Sequence, residues 1–469
     1  MKGALNPRRA DSPTPVLIVT TLVCTLTPFM SSAVNVALPN IGAEFGMDAV
    51  DLGWVVNAFF LACAVMLVVF GRLADILGKI KIFNLGVIMF GMGSLLCAIS
   101  LSAGLFIAGR LIQGVGGSMT IGTGLAALTA AYPPEERGRV LGINAAAVYF
   151  GLSIGPTIGG FLTTYWGWRS NFYLVFGLLL FSYIMTIRYL NPDEAEARDE
   201  KFDHVGSLLY VPTLTAFLYG FSNFLSPHSV PILAAGVAGL VAFIFWERRF
   251  PDPLIDLRIF KSNRPFIMSN LATLVNYAAV YAVTLLLSLY FQYNRGLAPE
   301  MAGLLLGVTP AAQVVFAPLA GRWSDRMDST KLASLGLGIT TLGLVLLCLF
   351  DEETPILYFV LCLAINGAGY GIFSSPNMNS IMSSASRKWY GVASSLMVTS
   401  RQVGCVLSTA ITMVIFSIFI GHVELTAAQH GSLALSAKTA FIIFACLNLV
   451  AVFLSLARGK SRPATEPTA

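Results

Sequence analysis

Three groups of residues in this chain have types and spacings that could do chemistry. The first is a charged loop, Gly71-Arg72-Leu73-Ala74-Asp75-Ile76-Leu77-Gly78-Lys79-Ile80-Lys81. One acid, two turn-permitting glycines and three cations suit charge pairing and helix-end binding, not bond making. Part of the loop returns as Gly321-Arg322-Trp323-Ser324-Asp325-Arg326. The second group is a pair of arginines inside apolar runs, Arg110 and Arg401, which need acceptors or anions wherever they sit. The third is Gly151-Leu152-Ser153-Ile154-Gly155, a Gly-x-Ser-x-Gly string of hydrolase type. A serine nucleophile needs a base, and the four histidines (His204, His228, His422, His430) all fall in or beside loops. The same glycines, continued by Gly159, recur at i, i+4 and i+8, a stripe on which a second helix can lie close, with Pro156 bending the helix beside it. The string is read as packing, and the chain as no enzyme. The seven cysteines (Cys24, Cys63, Cys97, Cys348, Cys362, Cys405, Cys446) lie in apolar runs without a Cys-x-x-Cys pair. They read as small buried hydrophobes, with no metal site and no cofactor implied.

The elements that must position these residues are membrane spans. The 469 residues are 56% hydrophobic and 11% charged, too little charge to cover a soluble surface. Apolar runs near twenty residues long recur throughout. They give fourteen spans: roughly 15–37, 52–73, 82–100, 103–131, 139–162, 168–190, 205–225, 230–247, 266–291, 301–322, 332–350, 355–378, 391–420 and 437–457. Alternate loops and both tails carry 24 of the 29 Lys and Arg; the other face carries Arg169, Arg295 and Lys438, and Arg110 and Arg401 lie in spans. By the positive-inside rule the cation-rich face, with both termini, is cytoplasmic. The net charge of +5 is thus a matter of topology, and no nucleic-acid partner is implied. All carboxylates fall in loops, tails or span ends.

A duplication organises the spans. Ile112-Gln113-Gly114-Val115-Gly116 in span 4 matches Ile365-Asn366-Gly367-Ala368-Gly369 in span 12. Gly142 and Gly155 in span 5 are spaced like Gly391 and Gly404 in span 13. The expected all-α membrane fold has a six-helix half at 1–190, a hydrophilic linker with an inserted helix pair at 191–265, and a second six-helix half at 266–469.

These residues resemble the major facilitator superfamily, and within it the fourteen-span drug:proton antiporter family. Residues 71–81 are similar to its loop 2–3 motif, Arg110-Leu111-Ile112-Gln113-Gly114 to its span 4 motif, and Gly151 to Gly160 to its span 5 antiporter motif. Val34-Asn35-Val36-Ala37-Leu38-Pro39, Phe202-Asp203-His204-Val205-Gly206 and Arg401-Gln402-Val403-Gly404 are also similar to family segments. The resemblance implies a proton-driven exporter of small amphipathic molecules in the cell membrane, working by alternating access. It also implies that Asp75 caps span 13, with Arg137 and Arg139 as nearby partners, and that Asp325 mirrors it against span 5; Gly71, Gly78 and Gly321 belong to the same gating loops. The family usually has an aspartate seven residues before Ala-Leu-Pro; here that position is Met30.

Without that acid, the candidate substrate and coupling set is Met30, Asn35, Arg110, Gln113, Tyr149, Tyr281, Asn366, Arg401 and Gln402. At ~1.5 Å per residue Arg110 lies about 10 Å from the cation-poor surface and Arg401 about 15 Å from the other. If both face the cavity it carries up to two positive charges, and anionic or neutral substrates are expected. The rival readings are a proton-independent facilitator, a lipid or anionic-amphiphile exporter of the same fold, and a non-transporting membrane sensor.

Overall fold

The computed structural model describes residues 14–189, 200–261, 263–324, 326–385 and 390–459. Asp325, and most of the hydrophilic stretch that begins at 191, lie outside the described residues.

Fourteen helices among the described residues are long and apolar enough to cross a membrane. They are α1 (Thr14–Phe45), α2 (Ala49–Leu77), α3 (Lys79–Ala98), α4 (Ala103–Ala131), α5 (Pro134–Trp166), α6 (Arg169–Tyr189), α7 (His204–Ser222), α8 (Ser229–Glu247), α9 (Arg264–Asn294), α10 (Pro299–Ser324), α11 (Ser329–Cys348), α12 (Ile356–Ser383), α13 (Tyr390–Phe419) and α14 (His430–Leu456). Short polar side chains start several of them. Asp48, Ser102, Asp203, Asn263 and Asp328 each accept a backbone N–H in the first turn of the helix that follows. Between α2 and α3 the chain turns on one residue, Gly78, whose φ of 104° is a conformation only glycine adopts at ease. α9 loosens into a π-turn over Tyr290–Asn294, and α10 is interrupted at Gly307.

The packing repeats with a shift of eight helices. α1 packs on α5 and α6, α2 on α4, and α3 on α4 and α6. In the second half α9 packs on α13 and α14, α10 on α12, and α11 on α12 and α14. The repeat reaches single atoms. A Cβ on Gly114 would stand 2.3 Å from the Phe59 carbonyl oxygen of α2, and one on Gly367 would stand 2.2 Å from that of Thr309 in α10. Without a hydrophobic drive between helices in lipid, such backbone approach is how they associate. The halves meet along α2 against α13, its symmetry mate α10 against α5, and α1 against α9. The pair α7–α8 packs on itself and rests on α13 and α2, where Asn57 donates to Ser222 (2.9 Å) and Trp54 stacks near Tyr219.

One expectation fails here. Cys446 is exposed on α14 and Cys348 is only half-buried, because both face outward from the bundle; the other five cysteines are buried.

Candidate functional site

At the cation-rich end, Gly71 turns its bare face toward α13: a Cβ there would lie 3.7 Å from Ser395 Oγ. Asp75, one turn on, shares that face of α2 and is half-buried. Arg72 pairs with Glu200, just before α7. Among the described residues the symmetry-related approach is absent: nothing lies within 4 Å of a Cβ built on Gly321 of α10 or on Gly142 of α5. Arg139 is exposed near the start of α5. Arg137 lies in the first turns of α5, but its side chain is outside the described set, as is Asp325.

At the cation-poor end the halves are sewn together. Ser288 of α9 donates to the Asn35 carbonyl of α1 (2.6 Å), and Gln292 to that of Val36 (3.0 Å). The Glu300 amide of α10 donates to Thr164 of α5 (3.3 Å), and His422 pairs with Asp48 (2.9 Å). A Cβ on Gly303 would stand 2.1 Å from the Pro156 carbonyl oxygen. None of these partners was foreseeable, because each depends on which residues face one another across the two halves.

Between these ends lies the glycine stripe of α5. Cβ atoms on Gly151, Gly155 and Gly159 would stand 2.4 Å from the Thr25 carbonyl oxygen, 2.0 Å from Ser32 Oγ and 2.6 Å from Ala33 Cβ, all on α1. Met30 on α1 is wholly buried.

The two in-span arginines differ. Arg110 is 1% exposed. Its Nε donates to the Val55 carbonyl (3.0 Å) and one terminal nitrogen to Gln113 Oε1 (2.5 Å), and the group lies 4.8 Å from the Phe59 ring centroid. Gln113 in turn donates to Ser94 (2.7 Å). The expectation of a second cavity charge is therefore corrected: α2, α3 and α4 enclose this guanidinium. The nearby Ser31 and Ser32 hydroxyls instead donate to the Pro28 carbonyl in their own helix. Asn366, the repeat mate of Gln113, bonds the Cys362 carbonyl (3.0 Å) and is likewise packing.

Arg401 is partly exposed and makes no hydrogen bond or ion pair among the described residues. Its guanidinium lies 5.9 Å from the Tyr277 ring centroid. The Tyr277 and Tyr370 hydroxyls are hydrogen-bonded, with their rings 5.6 Å apart and nearly perpendicular. Contacts across the seam surround this group. Gln402 donates to Cys63 Sγ (3.0 Å), Tyr149 meets Ser374 (3.4 Å), and Tyr281 packs edge-on against Phe60 at 4.5 Å. Polar and aromatic side chains from α2, α5, α9, α12 and α13 thus converge at mid-depth. Cys63 and Ser374 carry no distinguishing signal in the sequence.

The chain matches the family profile described as Major Facilitator Superfamily over residues 20–409 and 269–469. It is 29% identical to the riboflavin transporter RibZ of Clostridioides difficile (strain 630), covering 94% of this chain and 96% of that protein. It is 30% identical to the multidrug resistance protein Stp of Mycobacterium tuberculosis (strain CDC 1551 / Oshkosh), covering 81% of this chain and 71% of that protein. A crystal structure of a mutant nucleoside transporter, NupG, superposes with a TM-score of 0.63 at 14% identity, covering 96% of this chain and all of that one.

Proposed function

Since the chain belongs to the Major Facilitator Superfamily, we propose that it exports small amphipathic molecules across the cell membrane by rocking its two halves about a mid-depth site. In this reading the cation-rich face and both termini are cytoplasmic. The observation that carries it is the paired seam. α2–α13 and α10–α5 are symmetry mates, yet among the described residues only α2–α13 comes together at the cation-rich end, whereas hydrogen bonds and close backbone approach join the halves at the opposite end. A symmetric seam in an asymmetric state is what alternating access requires of two equivalent halves. The polar and aromatic side chains beneath the seal offer an amphipathic lining. Relatives whose names are riboflavin transporter and multidrug resistance protein agree with small-molecule substrates.

Driving by protons follows the resemblance. A second reading, proton-independent movement, is favoured by one observation: a wholly buried methionine, Met30, stands where the coupling acid belongs. Proteoliposomes loaded with fluorescein, rhodamine 123 or riboflavin test both readings. Protein-dependent movement of any of them supports a transporter. Acceleration by an imposed pH gradient supports the first reading, and equilibration unaffected by the gradient supports the second. No movement of any compound, under either condition, contradicts the proposal.

A further inference from the structure

We propose that Arg401, with Tyr277, Tyr370 and Tyr149, forms a subsite for the anionic group of a planar aromatic substrate, a carboxylate or sulfonate joined to a ring system. This rests on the transport reading and narrows its substrate class. A guanidinium carries five N–H donors and no acceptor, and it stays charged. About 15 Å into a membrane span, such a group is stable only with acceptors, water or an anion around it. Arg110 meets most of that need within the protein, from the Val55 carbonyl, Gln113 and the Phe59 face, with one terminal nitrogen left without an acceptor. Arg401 does not: among the described residues no hydrogen bond or ion pair reaches it, and the Tyr277 ring stands 5.9 Å away. It is also partly exposed, where Arg110 is sealed.

No described carboxylate stands in a helix interior to neutralise it. The charge is left for something that arrives.

The surroundings say what that would be. Tyr277 and Tyr370 stand at 88° to each other, so a flat ring entering beside them meets one face and one edge, the two arrangements aromatic pairs prefer. The fork of the guanidinium matches two coplanar oxygens, as in a carboxylate or sulfonate, better than a single point acceptor. The site also straddles the seam. Tyr149 of α5 and Ser374 of α12 meet at 3.4 Å, and Gln402, next to Arg401, bonds Cys63 of α2. A ligand here touches both halves, so its binding bears on which end of the seam is open. A lipophilic cation would bring its charge against Arg401 with no acid to offset it.

The test is binding by purified full-length protein in detergent, with two dyes that share a xanthene core: fluorescein, an anion, and rhodamine 123, a cation. Fluorescein should bind at least tenfold tighter. Arg401→Gln should weaken fluorescein about tenfold and rhodamine 123 hardly at all, so that the preference collapses. Arg401→Lys, which keeps the charge and loses the fork, should fall between. Tighter binding of rhodamine 123 by the unaltered protein would overturn the proposal, and so would an equal change in both dyes on Arg401→Gln. If Arg401→Gln does not fold, the unaltered protein and Arg401→Lys still decide the matter. The outcomes separate from those of the transport reading. Fluorescein bound, with neither it, rhodamine 123 nor riboflavin ever moved, contradicts export and leaves the subsite. Movement of rhodamine 123 without fluorescein binding contradicts the subsite and leaves export.

Discussion

Arg110 and Arg401 look alike as residues, each a lone cation inside an apolar run, and they end in opposite circumstances. What separates them is not their own neighbours in sequence alone. Gln113, three residues after Arg110, shares its helical face and was foreseeable as an acceptor; the Val55 carbonyl and Ser94 come from other helices and were not. The enclosure of Arg110 makes a specific prediction. Gln113→Leu removes the acceptor and leaves a buried, under-partnered charge, which should destabilise the protein by about 1.5–3 kcal/mol. The double change Arg110→Met with Gln113→Leu removes charge and acceptor together and should recover most of that loss. Thermal unfolding in detergent measures both. A silent Gln113→Leu would mean that water, not Gln113, satisfies the guanidinium. Asn366 shows the same limit of sequence: its repeat alignment with Gln113 was legible, whereas its use as a packing side chain bonded to Cys362 depends on where α11 lies.

At the scale of elements, more was legible, because helices in lipid announce their packing faces through small residues. The stripe Gly151, Gly155, Gly159 gave the face of α5, and only its partner, α1, waited for the structure. Gly155→Val should force α1 and α5 apart, since a Cβ would stand 2.0 Å from Ser32 Oγ and 2.8 Å from the Phe29 carbonyl oxygen. Overpacking of this kind costs about 1–3 kcal/mol or more. Gly142→Val on the same helix meets open space and should leave the folded yield unchanged. Equal yields of the two variants by size-exclusion chromatography would contradict the assignment. The gating loop belongs to this scale too. Asp75 shares the face of α2 that Gly71 turns toward α13; in the proposed mechanism its charge acts on the N-terminus of that helix, an interaction worth about 0.3–1 kcal/mol. Asp75→Asn should therefore shift the balance between the two ends by roughly two- to fivefold and slow transport of a working dye while leaving the amount of folded protein alone. Full activity would reduce Asp75 to a topological charge.

The whole molecule is a duplication, and the sequence carried that clearly: the repeated loop, the Gln-Gly and Asn-Gly motifs and the spaced glycines all map onto helices related by a shift of eight. The seal could not be read in advance, because hydroxyl and amide donors such as Ser288 and Gln292 are common in spans and gain meaning only from the carbonyls opposite. Nor could the state, since two symmetric halves permit either end to be the closed one. In the proposed mechanism this seal must open for transport. Thr164 and Glu300 lie across it, with the Glu300 amide 3.3 Å from Thr164 Oγ1, so cysteines at these positions are the pair to cross-link. Dye movement in proteoliposomes by the double variant Thr164→Cys with Glu300→Cys, oxidised and then reduced, tests the claim most directly. Oxidation should bring movement to background and reduction should restore it; undiminished movement through a verified cross-link would contradict the account.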